Sequence, residues 1–75
     1  YSDALKRYNR AADLKPNEYL IWNRIAELQC VYLKNYLEAT MAYEKSFRLN
    51  PTYTDGWVNY GYSYGELQKR KEISI

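Results

Sequence analysis

NEYLIWNRIAELQCVYLKNYLEATMAYEKSFRLNP, residues Asn17 to Pro51, is the stretch whose reading decides the fold. It carries Trp22 near its start and closes on Leu49-Asn50-Pro51, and the flanking chain repeats it in part. Trp22 recurs as Trp57 and Pro16 as Pro51, each 35 residues on. Tyr1 and Tyr36, Ala4 and Ala39, Tyr8 and Tyr43, and Leu14 and Leu49 repeat at the same offset. One offset linking aromatic, small, aliphatic and proline positions means that a supersecondary unit has been duplicated and stacked. Residues 1–16 read as the second helix of one unit, 17–51 as a complete unit, and 52–75 as the first helix of a third plus a tail.

Working outward, residues 1–14 form a helical pattern, with Ala4, Leu5, Tyr8, Ala11 and Ala12 on one face. Pro16 ends it and pushes Lys15 out of the helical region. Asn17 is the expected N-cap of a second helix over 18–33, with Trp22, Ile25, Ala26, Gln29 and Leu33 facing inward. Lys34-Asn35 makes a polar turn. A third helix over 36–49 packs through Tyr36, Ala39, Tyr43, Ser46, Phe47 and Leu49 and stops at Asn50-Pro51. A fourth starts at Thr54 or Asp55 and runs to about Lys69, with Trp57, Tyr60, Gly61 and Tyr64 on its packing face. Gly61 and Gly65 weaken it by up to ~1 kcal/mol each relative to Ala. No stretch alternates with a period of two, so the expected class is all-α, with short connections and antiparallel neighbours.

Composition narrows the function. The chain has 75 residues, 47% hydrophobic and 27% charged, and a mean hydropathy of −0.73, as in a soluble protein; an intracellular setting is expected, with the compartment unassigned. No apolar run approaches the roughly 20 residues of a membrane span, so no membrane insertion is expected. A net charge of +2 is too small for a nucleic-acid partner, and Lys69-Arg70-Lys71 reads as a solvated helix end. One cysteine, Cys30, and no histidine rule out an internal disulfide, a Cys/His zinc site and a His-based catalytic pair. The nine acidic residues are scattered over helix faces, and no phosphate-binding glycine loop is present. The expectation is a non-enzyme without cofactors. Ten tyrosines point instead to helices that pack through aromatic knobs with polar tips.

Trp57-x2-Tyr60-Gly61-x2-Tyr64, Ala39-x3-Tyr43 with Pro51, and Ala4-x3-Tyr8 with Pro16 together resemble the tetratricopeptide repeat pattern W-x2-L-G-x2-Y…A-x3-F…P, over residues 1–68. In that pattern small residues, here Ala4, Ala26, Ala39 and Gly61, let helices approach closely. The period is one residue longer than the family's 34, and the extra residue is expected near Lys34-Asn35. Gln29 or Cys30 replaces the expected tyrosine, and no second helix follows Tyr64 in the last unit. Pentatricopeptide repeats share the 35-residue period but lack the Trp and the closing Leu-x-Pro. Prenyltransferase α-subunit repeats carry N-Y-x-x-W-x-x-R, from which Arg24 falls one residue early. Within the tetratricopeptide class, Pro16 to Arg24 is similar to the P-N-[DE]-Y-L-x-W-N-[KR] stretch of peroxisomal targeting-signal receptors, although Asp55 stands where those receptors carry a base.

The resemblance implies a right-handed superhelix of about four helices whose first helices line a concave groove. Leu20, Asn23, Arg24, Glu27 and Val31 of the second helix and Asp55, Val58, Asn59 and Tyr62 of the fourth would face it. The candidate peptide-binding residues are Asn23, Arg24, Glu27, Asp55, Asn59 and Tyr62. An Asn amide can grip a peptide backbone through donor and acceptor together, and Arg24 can fork onto a carboxylate. Glu27 and Asp55 would favour a basic residue. Arg24 and Glu27 also have the spacing of an ordinary i,i+3 surface pair. A complete clamp for acidic chaperone tails is not encoded. The leading expectation is a scaffold binding a peptide or partner protein in the groove. The alternatives are an architectural segment that self-associates through its terminal repeats, and a cargo receptor for C-terminal targeting peptides.

Overall fold

The computed structural model describes residues 2–73, and these are all-helical, with no strand among them. Helix α1 spans Ser2–Leu14, α2 Tyr19–Glu27, α3 Tyr36–Leu49 and α4 Trp57–Ile73. A π-helical turn, Leu28–Tyr32, continues α2. Both helices that precede a proline end two residues before it, as expected from the bias against αR ahead of proline. No helix among the described residues is long and apolar enough to cross a membrane.

Helix α3 is the centre of the packing. It lies against α2 over most of its length, α4 lies against α3, and α1 lies against α2. Ala39, Tyr43 and Ser46 of α3 are at most 1% exposed, and Ile25 and Ala26 of α2 meet them in the core. The zero exposure of Ala26 and Ala39 shows why small side chains stand there: the two backbones approach closely. Ser46 sits in this interface without cost because its hydroxyl donates to the Tyr19 carbonyl at 3.0 Å. An aromatic stack joins α3 to α4: Phe47 lies parallel to Trp57 at 4.4 Å, and Tyr60 meets Phe47 edge-on at 5.4 Å.

Four expectations need correction. Helix α2 begins at Tyr19, with Glu18 at its N-cap and no side-chain cap, so Asn17 falls in the preceding turn. The helix does not continue as α-helix to Leu33. The Leu33 amide bonds the Leu28 carbonyl at 3.0 Å, a five-residue step, and the Asn35 amide bonds the Gln29 carbonyl at 2.8 Å. Lys34 then takes a left-handed φ of 56° and turns the chain into α3.

Helix α4 starts at Trp57, not at Thr54 or Asp55, and extends past Lys69. The segment ahead of it is a turn, in which the Trp57 amide bonds the Thr54 carbonyl at 3.1 Å. The glycine that matters is Gly56. It is buried, and a Cβ on it would lie 2.6 Å from Tyr43 Cε1 and 2.7 Å from Asn23 Nδ2. Gly61, the expected close-approach glycine, has nothing within 4 Å of the Cβ position, and neither has Gly65.

Candidate functional site

The start of α4 meets α2 across the buried ring of Tyr43. Gly56 provides the room, so residues of α2 and residues of the α4 turn come within electrostatic reach of one another. Burial pushes the Tyr43 hydroxyl up to about 12, a hydrogen bond with Asn59 acts in the opposite direction, and Cys30, Glu27 and Tyr53 add smaller upward pushes. The Tyr53 hydroxyl is raised first by desolvation, then by the charge of Asp55 and a hydrogen bond to it, while Arg24 pulls it down. Tyr53 in turn leans on Tyr19 with ring centroids 4.8 Å apart. Asn59 and Glu27 thus act on Tyr43, and Asp55 and Arg24 on Tyr53.

The six residues singled out by sequence do not share one environment. Arg24 and Asp55 are exposed, and Glu27 and Asn59 are half-buried. Arg24 Nη1 lies 3.4 Å from Glu27 Oε1, the i,i+3 pair that the spacing allowed. Such an exposed pair contributes about 0.3–0.5 kcal/mol and leaves most of the guanidinium donors free. Asn23 is beneath this face: it is 9% exposed, and its Nδ2, shut off from solvent beside Gly56, has no hydrogen-bond partner. Tyr62 is elsewhere. It meets Tyr36 edge-on at 5.6 Å, and a hydrogen bond with Tyr36 is the first cause of its raised pKa.

Two features went unread in the sequence. Cys30 and Ser63 form a buried polar contact, with Ser63 Oγ donating to Cys30 Sγ at 3.0 Å, while the thiol faces the Asn59 carbonyl at 3.7 Å. This pins the π turn to α4, and no motif marks it. The second is a groove between α3 and α4, away from Arg24 and Asp55. One section, about 570 Å³, is lined by Phe47, Pro51, Trp57 and Tyr60; the next, about 630 Å³, by Leu37, Met41, Tyr64 and Leu67. The uncovered tyrosines of the Trp57-x2-Tyr60-x3-Tyr64 pattern were its signal.

Chemically, the α2/α4 face offers a guanidinium, two carboxylates and an amide beside two phenols. Among the described residues no three His, Cys, Asp or Glu side chains converge as a metal site would need. Compared with known proteins, the chain matches no family model, no curated protein and no solved structure.

Proposed function

We propose that this chain is a non-enzymatic protein-interaction module of the tetratricopeptide type, binding an extended peptide or a partner protein on its α2/α4 face. The observation that carries the reading is the close approach of the turn before α4 to α2 at Gly56, beside the exposed Arg24–Glu27 pair and the Tyr19–Tyr53 ring contact. The 35-residue repetition and the Trp, Tyr, Ala and Pro positions support the family.

In this reading Asn59 is held by Tyr43 through one of its hydrogen-bonding groups and presents the others to a peptide backbone. Arg24, 60% exposed at its side chain, meets a carboxylate of the ligand. Asp55 and Glu27 select against a second acidic group and for a basic one. Tyr19 and Tyr53 supply an amphipathic wall at low entropic cost.

The test is selection of binders from a displayed peptide library, with free and blocked C-termini presented in parallel. Affinities of the selected peptides are then measured for wild type, Arg24→Ala and Asp55→Asn. The expected result is a loss of about tenfold or more for at least one variant, corresponding to ~1.4 kcal/mol, with helicity unchanged. Selected peptides that all require a free C-terminus would specify the targeting-peptide version. An empty selection, or binders indifferent to both substitutions, would overturn the assignment.

A further inference from the structure

Among the described residues four polar side chains are buried, and three of them are satisfied. Thr40 donates to the Tyr36 carbonyl, Ser46 to the Tyr19 carbonyl and Ser63 to Cys30 Sγ. The exception is Asn23, whose Nδ2 reaches neither solvent nor an acceptor. An amide buried in this way has given up its water and gained nothing for it, so the packing is under tension at this one atom. What covers it is one short segment. Residues 52–56 form the turn ahead of α4, and a Cβ on Gly56 would lie 2.7 Å from Asn23 Nδ2. The hydrogen bonds of this turn are local. Asn50 Oδ1 accepts from the Thr52 amide at 3.2 Å and its hydroxyl at 2.7 Å, the Tyr53 amide donates to the Asn50 carbonyl, and the Trp57 amide to the Thr54 carbonyl. The turn meets α2 through the Tyr53 ring on Tyr19 and through Gly56. Beyond it, α4 is anchored on α3 separately, by the Phe47–Trp57 stack and by the Tyr60 hydroxyl on Glu44 at 2.9 Å. Residues 52–56 can therefore lift while the α3–α4 packing stays in place.

We propose that residues 52–56 are a strap that closes over the Asn23 amide in the free protein, and that a bound peptide lifts it, one main-chain carbonyl of the peptide accepting the hydrogen bond from Nδ2. The proposal rests on the peptide-binding reading of the α2/α4 face and supplies its regulation. The chemistry of the site selects the ligand group. Nδ2 only donates, so it takes an acceptor. Its surroundings are the Tyr43 ring, 1% exposed, and the Gly56 backbone. Such surroundings favour a neutral carbonyl, whereas a carboxylate keeps its solvation beside the exposed Arg24. Peptide thus binds the open strap, and its affinity is reduced by the fraction of molecules in which the strap is closed.

Two substitutions move the strap in opposite directions. Asn23→Leu keeps the volume of the side chain and removes the bare donor, so the strap closes more firmly. Gly56→Ala sets a methyl group against Tyr43 and Asn23 and pushes it open. Hydrogen exchange of the Tyr53 and Trp57 amides, followed by NMR on the free protein, reads the opening. Exchange at both should slow about tenfold or more in Asn23→Leu and quicken in Gly56→Ala, with helicity unchanged. Faster exchange in Asn23→Leu would mean that the amide is satisfied under the closed turn. That result, or exchange that tracks global unfolding in every variant, overturns the strap. Affinity for peptides selected on the α2/α4 face is the second readout. Asn23→Leu should lose about tenfold or more, while Gly56→Ala keeps or gains affinity. Full affinity in Asn23→Leu overturns the carbonyl contact. An empty selection overturns that contact together with the peptide reading beneath it, whereas the exchange measurement uses no peptide and decides the strap by itself.

Discussion

Substituting Gly56 by alanine is the most incisive perturbation of the fold. The added Cβ would fall 2.6 and 2.8 Å from the Tyr43 ring and 2.7 Å from Asn23 Nδ2. Neither neighbour can yield easily: Tyr43 is 1% exposed and Asn23 9%. Overpacking of this kind costs about 1–3 kcal/mol. Alanine would restrict the unfolded chain and return about 0.4–1 kcal/mol. The net is a destabilisation of roughly 1–2 kcal/mol, a fall in Tm of about 5–15 °C for a domain of this size. Gly61→Ala and Gly65→Ala provide the control. Both sit inside α4 with nothing within 4 Å, so each should raise stability, by up to ~1 kcal/mol, from helix propensity alone. Urea denaturation followed by circular dichroism reads all three. A Gly56→Ala protein as stable as wild type would mean that α4 does not enter against Tyr43 and Asn23 as described, and the close approach of its turn to α2 would lose its geometric basis.

Alkaline pH should destabilise the protein. Tyr43 has its pKa raised from 10.0 to about 12 in the fold, so its stabilising contribution is complete below pH 10 and is lost as pH rises through 12. The loss is on the order of 2 kcal/mol, and Tyr43→Phe should flatten the dependence of urea midpoint on pH over that window. Ser46→Ala removes the fully buried hydroxyl that donates to the Tyr19 carbonyl and should cost about 1 kcal/mol, measured as a shift of the same midpoint; no shift would remove this bond from the account of how α2 and α3 are joined.

The sequence carried the helical elements because their signals are local. Apolar spacing, prolines at 16 and 51 and the 35-residue offset need no tertiary information, and they marked Ala26, Ala39 and Tyr43 as packing residues, all buried in the fold. Burial of Asn23 was not legible. By type and spacing it belongs to a polar face, and only the missing side chain of Gly56, 33 positions along the chain, lets a neighbouring segment close over it. The start of α4 was misplaced for the same reason: Thr54 and Asp55 are good helix starters, but the chain stays in a turn until Gly56 has passed Tyr43. The candidate site was legible in part. Arg24 and Asn59 are one repeat offset apart, on α2 and α4, and Arg24 pairs with Glu27 as its spacing allowed. Tyr62 leaves the group because Tyr36, at the start of α3, gives its ring an edge-on partner.

The widened turn at Leu28–Tyr32 acts as a phase corrector. One residue added to a regular α-helix would rotate everything after it by about 100° and carry the following packing face away from its neighbour. Here the surplus is taken up within five residues, and Cys30, inside that turn, still reaches Ser63 and the Asn59 carbonyl. Repeat length and packing angle are thereby uncoupled.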